Sequence, residues 1–332
     1  MDFGKFLYLS RSEVAACGVT WDQAMEVAEK TYTEHAAGAY EMPPKPGVHP
    51  SACPGAFLHA MPGYLPRLDA VGLKWVAVFG HNRKKYGVNS LSSLMILNDP
   101  ETGYPIAVME AGLITSIRTA TASGVSVRYL ARKDAKVIGL IGAGEQGRNN
   151  MKLIKHVAPQ IDTIKIFDLY PEFAQKLCDD LKEELGVDAY VAKDREEVFR
   201  GSDIIVTAAP VTVKEPVYKK EWIKEGALLL PVHSKGWEYE CFSEASKFVA
   251  DDWNQYSSDM FNKEKGYYKD REPFALYSEI GKIVTGEKPG RENDGEIIAS
   301  ANMGIALQDI SLGKEVLRIA KEKGLGTELS LE

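Results

Sequence analysis

Residues 136–157, KVIGLIGAGEQGRNNMKLIKHV, contain the pattern that decides the fold. An apolar strand over residues 137–141 leads into Gly142, Gly144 and Gly147, and an amphipathic helix follows. In this spacing the first glycine allows a tight turn, the second lets the backbone approach a pyrophosphate, and the third lets the helix pack closely on the strand. The helix N-terminus then faces the phosphates. The stretch therefore predicts a dinucleotide-binding site.

The chain after this stretch supports the same interpretation. A second strand, TIKIFD, ends in Asp168, which can accept hydrogen bonds from both ribose hydroxyls and would repel a 2′-phosphate. NAD is therefore favoured over NADP. A glycine-rich turn in an α/β domain that binds no nucleotide is the alternative, and the complete strand, turn, helix and strand context makes it the weaker one.

Further strands, DAYVA, DIIVTAAP and ALLLPV, continue an alternation of helix and strand that is typical of a parallel sheet. Ligands of such sheets lie at the carboxyl ends of the strands. We therefore expect the cofactor-binding residues in the glycine-rich turn and at the ends of neighbouring strands, namely Gly142, Gly144, Glu145, Gln146, Gly147, Asp168, Thr207, Ala208 and Val232.

The segment GALLLPVHSK ends its apolar run at His233 and Lys235. A surface turn with both side chains in water is one explanation, because loops are polar by default. The segment also ends a strand of the predicted nucleotide-binding sheet, where a nicotinamide and its substrate would meet. A catalytic role for His233 and Lys235 is therefore at least as well supported as a surface turn.

The first third of the chain predicts a sheet with few crossover helices. A helix is predicted in VTWDQAMEVAEKTYTEHAAG, where Thr20 and Gln23 form a capping box and Gly38 can end the helix. Strands are predicted in AFLHAMPGYL, LKWVAVFG, LSSLMILND and IAVMEA, and PETGYP between the last two predicts a hairpin. This part is therefore expected to be a separate, sheet-rich domain.

Basic residues in this part are candidates for binding an anionic substrate. Lys74 stands inside an apolar strand, where a lysine is costly unless paired or used, although strand alternation also permits a solvent-facing side chain. Arg118 lies beside small polar residues and suits a bidentate carboxylate contact, or it could pair with a surface acid. Lys45 and His49 lie in the loop MPPKPGVHP, which fits a substrate loop or a stiff connector.

Composition limits the classes of function. A chain of 332 residues with 45% hydrophobic and 26% charged residues suits a two-domain enzyme, and a net charge of −7 argues against a nucleic-acid partner. No signal peptide and no apolar run near the roughly 20 residues of a membrane span is found, so we expect a cytoplasmic protein without a membrane partner. Four separated cysteines, without a CxxC pair, predict neither a disulfide framework nor a metal site.

Several motifs, in order and spacing, resemble the ornithine cyclodeaminase/mu-crystallin family: PGYLPRLDAVGLKWV, MILNDPETGYPIAVMEA, LITSIRTATASGVSVRYLAR, IGLIGAGEQGR and MGIALQDISLGKEVLRIAKEKGLG. The resemblance covers nearly the whole chain. It implies an α/β protein with a central Rossmann-type NAD-binding domain over residues 118–302. Residues 1–117 and 303–332, including the C-terminal helix, would form an α+β domain for substrate binding and dimerisation, and the protein would be a homodimer.

The resemblance also implies roles for individual residues. Lys74 matches the family lysine that contacts the substrate carboxylate or polarises the reacting centre, and Arg118 matches the arginine that binds the carboxylate. Lys45 sits where many members have an arginine. Cyclodeaminases have Gly-Ser-Asp where this chain has His233, Ser234 and Lys235. A base thus replaces the acid that is thought to handle the substrate amine, which makes ring closure with loss of ammonia doubtful.

The prediction that follows is an NAD-dependent amino-acid dehydrogenase or imine reductase. Its substrate would be a small anionic 2-amino acid or the corresponding imino or keto acid. Arg118 would orient the carboxylate, Lys74 would polarise the imine or carbonyl, and Lys235 or His233 would transfer the proton. An ornithine cyclodeaminase with catalytic NAD and a mu-crystallin-like binding protein are the alternatives.

Overall fold

The computed structural model describes residues 4–209 and 215–331. Contacts within the chain divide it into two compact units, one formed by Met1–Arg118 with Ile305–Glu332 and the other by Thr119–Gly304. The second unit is therefore inserted into the first. Within the described ranges, no helix combines the length and the apolar character needed to cross a membrane.

The first unit begins with two helices and the strands of a sheet. In chain order its elements are β1 Lys5–Leu9, α1 Arg11–Cys17, α2 Trp21–Ala36, β2 Gly47–Val48, β3 Phe57–Leu65, β4 Ala70–Val78, α3 Asn82–Tyr86, β5 Leu91–Asn98, β6 Pro105–Glu110 and the start of α4 Gly112–Leu130. The expected capping box of α2 is confirmed, because Gln23 N–H donates to Thr20 Oγ1 and Thr20 N–H donates to Gln23 Oε1. The expected hairpin of β5 and β6 is also confirmed by their antiparallel pairing.

The second unit alternates strands and helices. After the remainder of α4, its elements are β7 Val137–Ile141, α5 Glu145–Val157, β8 Thr163–Phe167, α6 Pro171–Leu185, β9 Asp188–Val191, α7 Arg195–Phe199, β10 Ile204–Thr207, β11 Leu228–Leu230, α8 Glu240–Ser243, β12 Lys247–Ala250, α9 Trp253–Met260, β13 Ser278–Glu279, α10 Ile280–Val284 and β14 Ile298–Ala301.

These strands form one parallel sheet in the order β13-β12-β14-β11-β10-β7-β8-β9. The chain leaves β7 toward β8 on one side and later returns to place β10 on the other side of β7. Ligands of doubly wound sheets bind at such a reversal, at the carboxyl ends of the strands. The predicted Rossmann-type arrangement is therefore confirmed.

The first unit is completed by α11 Ala306–Lys323 and β15 Thr327–Ser330. Its sheet has the order β15-β1-β6-β5-β4-β3-β2, and α11 packs against β3, β4 and β5. Two glycines allow this close packing. A Cβ on Gly63 of β3 would lie 3.1 Å from side-chain atoms of Leu307 and Ile310, and a Cβ on Gly313 would collide with Met95 Sδ. The helix is thus held firmly against the strands that carry the candidate residues.

The sheet of the first unit also presents apolar side chains to solvent. Trp75 and Leu94 face each other across β4 and β5, and they are 41% and 49% exposed. Ile96, two residues further along β5, is 38% exposed. Because neighbouring residues of a strand point to opposite faces, Trp75 points away from the face that buries Lys74.

Candidate active site

The glycine-rich turn has the backbone that the sequence pattern predicts. Gly142 has φ of +102°, in the region that favours glycine, and its N–H donates to the carbonyl oxygen of Phe167 at 2.8 Å. A Cβ at Gly142 would lie 2.8 Å from the backbone nitrogen of Ala209. A Cβ at Gly147 would overlap the carbonyl oxygen of Gly142. Larger residues at either position would therefore displace the turn or the helix.

The N-terminus of α5 is suited to an anion. Its N-cap residue is Gly144, and no side chain forms a cap hydrogen bond there. A Cβ built on Gly144 would meet no atom within 4 Å, so the space in front of the first turn is open. Glu145 is exposed in this turn, while Oε1 of the neighbouring Gln146 is buried without a hydrogen-bond partner among the described residues. The open N–H groups and helix dipole favour a phosphate group at this place.

Asp168 lies beside the same turn, directly after β8. One carboxylate oxygen accepts the Ala143 N–H at 2.8 Å, and the other accepts the Tyr170 N–H at 2.9 Å. These bonds orient the half-buried carboxylate next to the glycine-rich turn. The turn, the open helix N-terminus and this acid together have the donors and acceptors that a dinucleotide requires.

The other predicted cofactor residues lie at the carboxyl ends of β10 and β11. Thr207 is fully buried, and its hydroxyl accepts a hydrogen bond from Trp237 Nε1 at 3.1 Å and donates to the carbonyl oxygen of His233 at 3.2 Å. Its side chain therefore fixes the segment after β11 and is already engaged within the protein. Ala208 and Val232 are half-buried at the ends of the two strands.

His233 is an unfavourable proton donor near neutral pH. Burial, together with the positive charge of Lys235, lowers its pKa to about 4 despite opposing effects from the Lys235 backbone and Asp259. Its Nδ1 is buried without a hydrogen-bond partner in the described parts of the chain. The imidazole is therefore neutral at pH 7. Lys235 lies half-buried two residues further on, close enough for its charge to disfavour protonation of the imidazole.

In the first unit, Lys74 is buried inside the sheet. Its cross-strand neighbours are Met61 on β3 and Met95 on β5, and both are buried. The side chain of Lys74 is 1% exposed, and Nζ lies 2.7 Å from Oδ2 of Asp309. The solvent-facing alternative is therefore excluded. At this distance Asp309 engages at most one of the three N–H donors of the ammonium, and Nζ has no further acceptor among the described residues.

Arg118 meets the same aspartate from α4. Its Nε donates to Oδ1 of Asp309 at 2.9 Å. Asp309 is completely buried, within a stretch of α11 whose residues from Ala306 to Gly313 are all buried. Asp309 lies in the motif MGIALQD, and no role was predicted for it from the sequence. An aspartate in the middle of an apolar helix face was the available signal.

The cluster of Lys74, Arg118 and Asp309 has perturbed proton affinities. Burial lowers the pKa of Lys74 to about 7; the charge of Asp309 opposes this effect, and the charges of Arg118 and Lys45 add to it. Burial alone would raise the pKa of Asp309, but Arg118 and Lys74 hold it below its usual range. Asp309 is therefore an anion, and Lys74 exchanges its proton near neutral pH.

The two predicted loop residues differ in their relation to this cluster. Lys45 is half-buried, and its charge contributes to the low pKa of Lys74. His49 is exposed, and its ring lies 6.2 Å from the ring of His59, measured between centroids. The structure thus associates Lys45 with the candidate site, whereas His49 lies at the surface of the same loop.

Comparison with known proteins finds one matching family and a relative similar over nearly the whole chain. The family model described as "Ornithine cyclodeaminase/mu-crystallin family" matches residues 7–324. The nodulation efficiency protein NfeD of Rhizobium meliloti is 35% identical over 97% of this chain and 98% of that protein.

Two solved structures are similar over the whole length. The Δ1-pyrroline-2-carboxylate reductase of Thermococcus litoralis, in complex with NADH and L-proline, has a TM-score of 0.84 at 31% identity and covers 97% of this chain and 99% of its own. An archaeal alanine dehydrogenase dimer with bound NAD has a TM-score of 0.85 at 32% identity and covers 99% of this chain and 100% of its own.

The environment of His233 predicts its titration. We expect its imidazole to remain neutral between pH 5.5 and 8 and to gain a proton around pH 4, because burial and Lys235 disfavour the imidazolium. Proton–carbon NMR of the histidine rings, with the resonance assigned by its loss in His233→Gln, measures this. A midpoint near the ordinary value of about 6.5 would contradict the described environment.

Proposed function

Because the chain belongs to the ornithine cyclodeaminase/mu-crystallin family, we propose that it is an NAD-dependent oxidoreductase acting on a small anionic 2-amino acid or its imino or keto acid. The observation that carries this proposal is the buried cluster of Lys74, Arg118 and Asp309. With Lys74 protonated, two cations and one anion leave a net charge of +1. A substrate carboxylate neutralises that charge through charge-assisted hydrogen bonds.

The second unit holds the residues for the cofactor. The open N-terminus of α5 at Gly144 suits the pyrophosphate, and Gly142 and Gly147 provide the close approach that it needs. The carboxylate of Asp168 suits the ribose hydroxyls and disfavours the 2′-phosphate of NADP. Bound there, the cofactor would supply hydride transfer, with NAD⁺ as acceptor from Cα of the amino acid and NADH as donor to that carbon of the imino or keto acid. Similar proteins hold NAD and NADH, which supports this cofactor.

The residues of the first unit bind the substrate and move its proton. Arg118 binds and orients the carboxylate, and Lys45 adds positive charge to the cluster. Lys74 Nζ–H polarises the imine nitrogen or the carbonyl oxygen. With a pKa of about 7, Lys74 can also give a proton in the reductive direction and take one in the oxidative direction. In the second unit His233 is neutral at that pH, which leaves Lys235 as the other predicted proton carrier.

We also propose that the protein is a homodimer that works in the cytoplasm. The exposed side chains of Trp75, Leu94 and Ile96 form an apolar area on one face of the first sheet, of the kind that subunit contacts cover. A similar alanine dehydrogenase is a dimer. All four cysteines are free thiols, which suits a reducing compartment.

The proposed reaction predicts a net change in reduced cofactor. Purified protein is assayed with NAD⁺ or NADP⁺ and amino acids, and in reverse with NADH, 2-oxo acids and ammonia or methylamine, while NADH absorbance and ammonia are followed together. We expect turnover with NAD at least about tenfold above that with NADP, because of Asp168. Lys74→Met should lower kcat by about 100-fold or more, because the proton carrier is lost.

The same assay separates the alternatives. Ammonia release from ornithine without net NADH would contradict the proposal and indicate a cyclodeaminase. Binding of an amino or keto acid without turnover would instead indicate a ligand-binding protein. Lys314→Met is the matched control for Lys74→Met. Lys314 also lies in the first unit and pairs with an aspartate, but it does so at the surface.

The apolar sheet face predicts the effect of a charge on assembly. We expect the protein to sediment as a dimer and Leu94→Glu to sediment as a monomer, because a buried unpaired carboxylate is costly. Tyr170→Glu, at an exposed position of the second unit, is the control and should remain dimeric. A dimeric Leu94→Glu would show that another surface forms the contact.

A further inference from the structure

We propose that Asp309 is a positioning residue, the shared counter-ion that holds the ammonium of Lys74 and the guanidinium of Arg118 in place for the substrate. Its role in the reaction rests on the proposed function. The coupling between its charge and those of Lys74 and Arg118 does not rest on it, because that coupling follows from the contacts within the first unit.

Each carboxylate oxygen of Asp309 contacts one cationic side chain. Oδ1 accepts from Arg118 Nε at 2.9 Å, and Oδ2 lies 2.7 Å from Lys74 Nζ. The two cations come from different elements, α4 and β4, and the planar carboxylate fixes the separation between them. A substrate carboxylate or carbonyl therefore meets two donors whose spacing is set before binding, which lowers the ordering cost of recognition.

The position of Asp309 is itself rigid. Gly313 lies one turn later on α11, where a side chain would collide with Met95 on β5. Met95 is the cross-strand neighbour of Lys74. The same close helix-to-strand contact that excludes a side chain at Gly313 thus brings the Asp309 carboxylate to the Lys74 ammonium.

Lys74 has capacity for a further acceptor. Its buried Nζ has Asp309 Oδ2 at 2.7 Å and no further acceptor in the described parts of the chain. A completely buried ammonium with unused N–H donors is costly. An acceptor atom of the substrate would remove this cost. Asp309 therefore stabilises the charge of Lys74 while using at most one of its three N–H donors, and the other donors stay available to the substrate.

Three charged groups act on Lys74, and its neighbours on β3 and β5, Met61 and Met95, are uncharged. Asp309 on α11 favours the protonated ammonium, whereas Arg118 on α4 and Lys45 in the loop before β2 disfavour it. Burial also disfavours it. Among these influences Asp309 alone supplies a negative charge. Loss of that charge leaves burial and two cations, so Lys74 would release its proton at a lower pH than in the unaltered protein.

The test measures the titration of Lys74 directly. Protein with ¹³C-labelled lysine is titrated by NMR, and the Lys74 signal is assigned by its absence in Lys74→Met. We expect a midpoint of about 7 in the unaltered protein. Asp309→Asn should lower the midpoint by about one unit or more, and Asp309→Glu, which keeps the charge, should restore part of the difference.

The titration includes a control variant and a second variant for the case in which Asp309→Asn does not fold. Asp69→Asn removes a surface aspartate that pairs with Lys314 of α11 at 2.8 Å and should leave the Lys74 midpoint unchanged. If Asp309→Asn does not fold, Arg118→Gln is read in its place, and the midpoint should rise because a neighbouring cation is lost.

An unchanged Lys74 midpoint in a folded Asp309→Asn protein, even with a lower melting temperature, would overturn the proposal and leave Asp309 a structural residue. If the protein turns over a substrate, the pKa seen in the pH dependence of kcat/KM should shift in Asp309→Asn together with the Lys74 NMR midpoint. The KM of that variant should rise at least about tenfold. A shifted midpoint in a protein without turnover would support the charge coupling and refute the proposed function instead.

Discussion

One buried carboxylate, that of Asp309, holds two cations inside the first unit, and the candidate site depends on this contact. Placing a lysine and an arginine in a protein interior is costly unless an anion accompanies them. Helix α11 supplies that anion, and small residues on the helix and the sheet allow the approach. The burial that makes the charges costly also lowers the pKa of Lys74 to about 7. The same burial thus gives Lys74 the proton affinity that the proposed role of proton carrier at neutral pH requires.

The second unit supplies a different kind of recognition. Its glycine-rich turn exposes backbone N–H groups of α5, and Asp168 is oriented beside them by two backbone donors. Backbone groups bind a pyrophosphate that is common to many cofactors, and the acid selects the ribose. In the proposed function, the charged side chains of the first unit recognise the substrate carboxylate. The change from an acid to Lys235 after β11 is consistent with an oxidoreductase, because the acid of a cyclodeaminase is missing.

The elements that could be predicted from the sequence are those with local signals. The strand, glycine turn and helix around Gly142, and the capping box of α2, depend on residues within a few positions of each other. The burial of Lys74 was left open, because strand alternation does not say which face is covered. Asp309 was missed for a related reason: its partners lie 235 and 191 positions earlier in the chain, and no local pattern links them. The low pKa of His233 likewise depends on burial that a sequence does not reveal.

The role of Lys74, Arg118 and Asp309 in substrate binding is tested most directly by a crystal structure of the dead-end complex with NAD⁺ and a 2-oxo acid. The proposed role of the cluster predicts that the carboxylate or carbonyl oxygen of the bound acid lies within hydrogen-bond distance of both Lys74 Nζ and the Arg118 guanidinium, while Asp309 keeps its two contacts. An acid bound away from Lys74 and Arg118, with the three side chains unchanged, would contradict it and reduce the cluster to a structural ion pair.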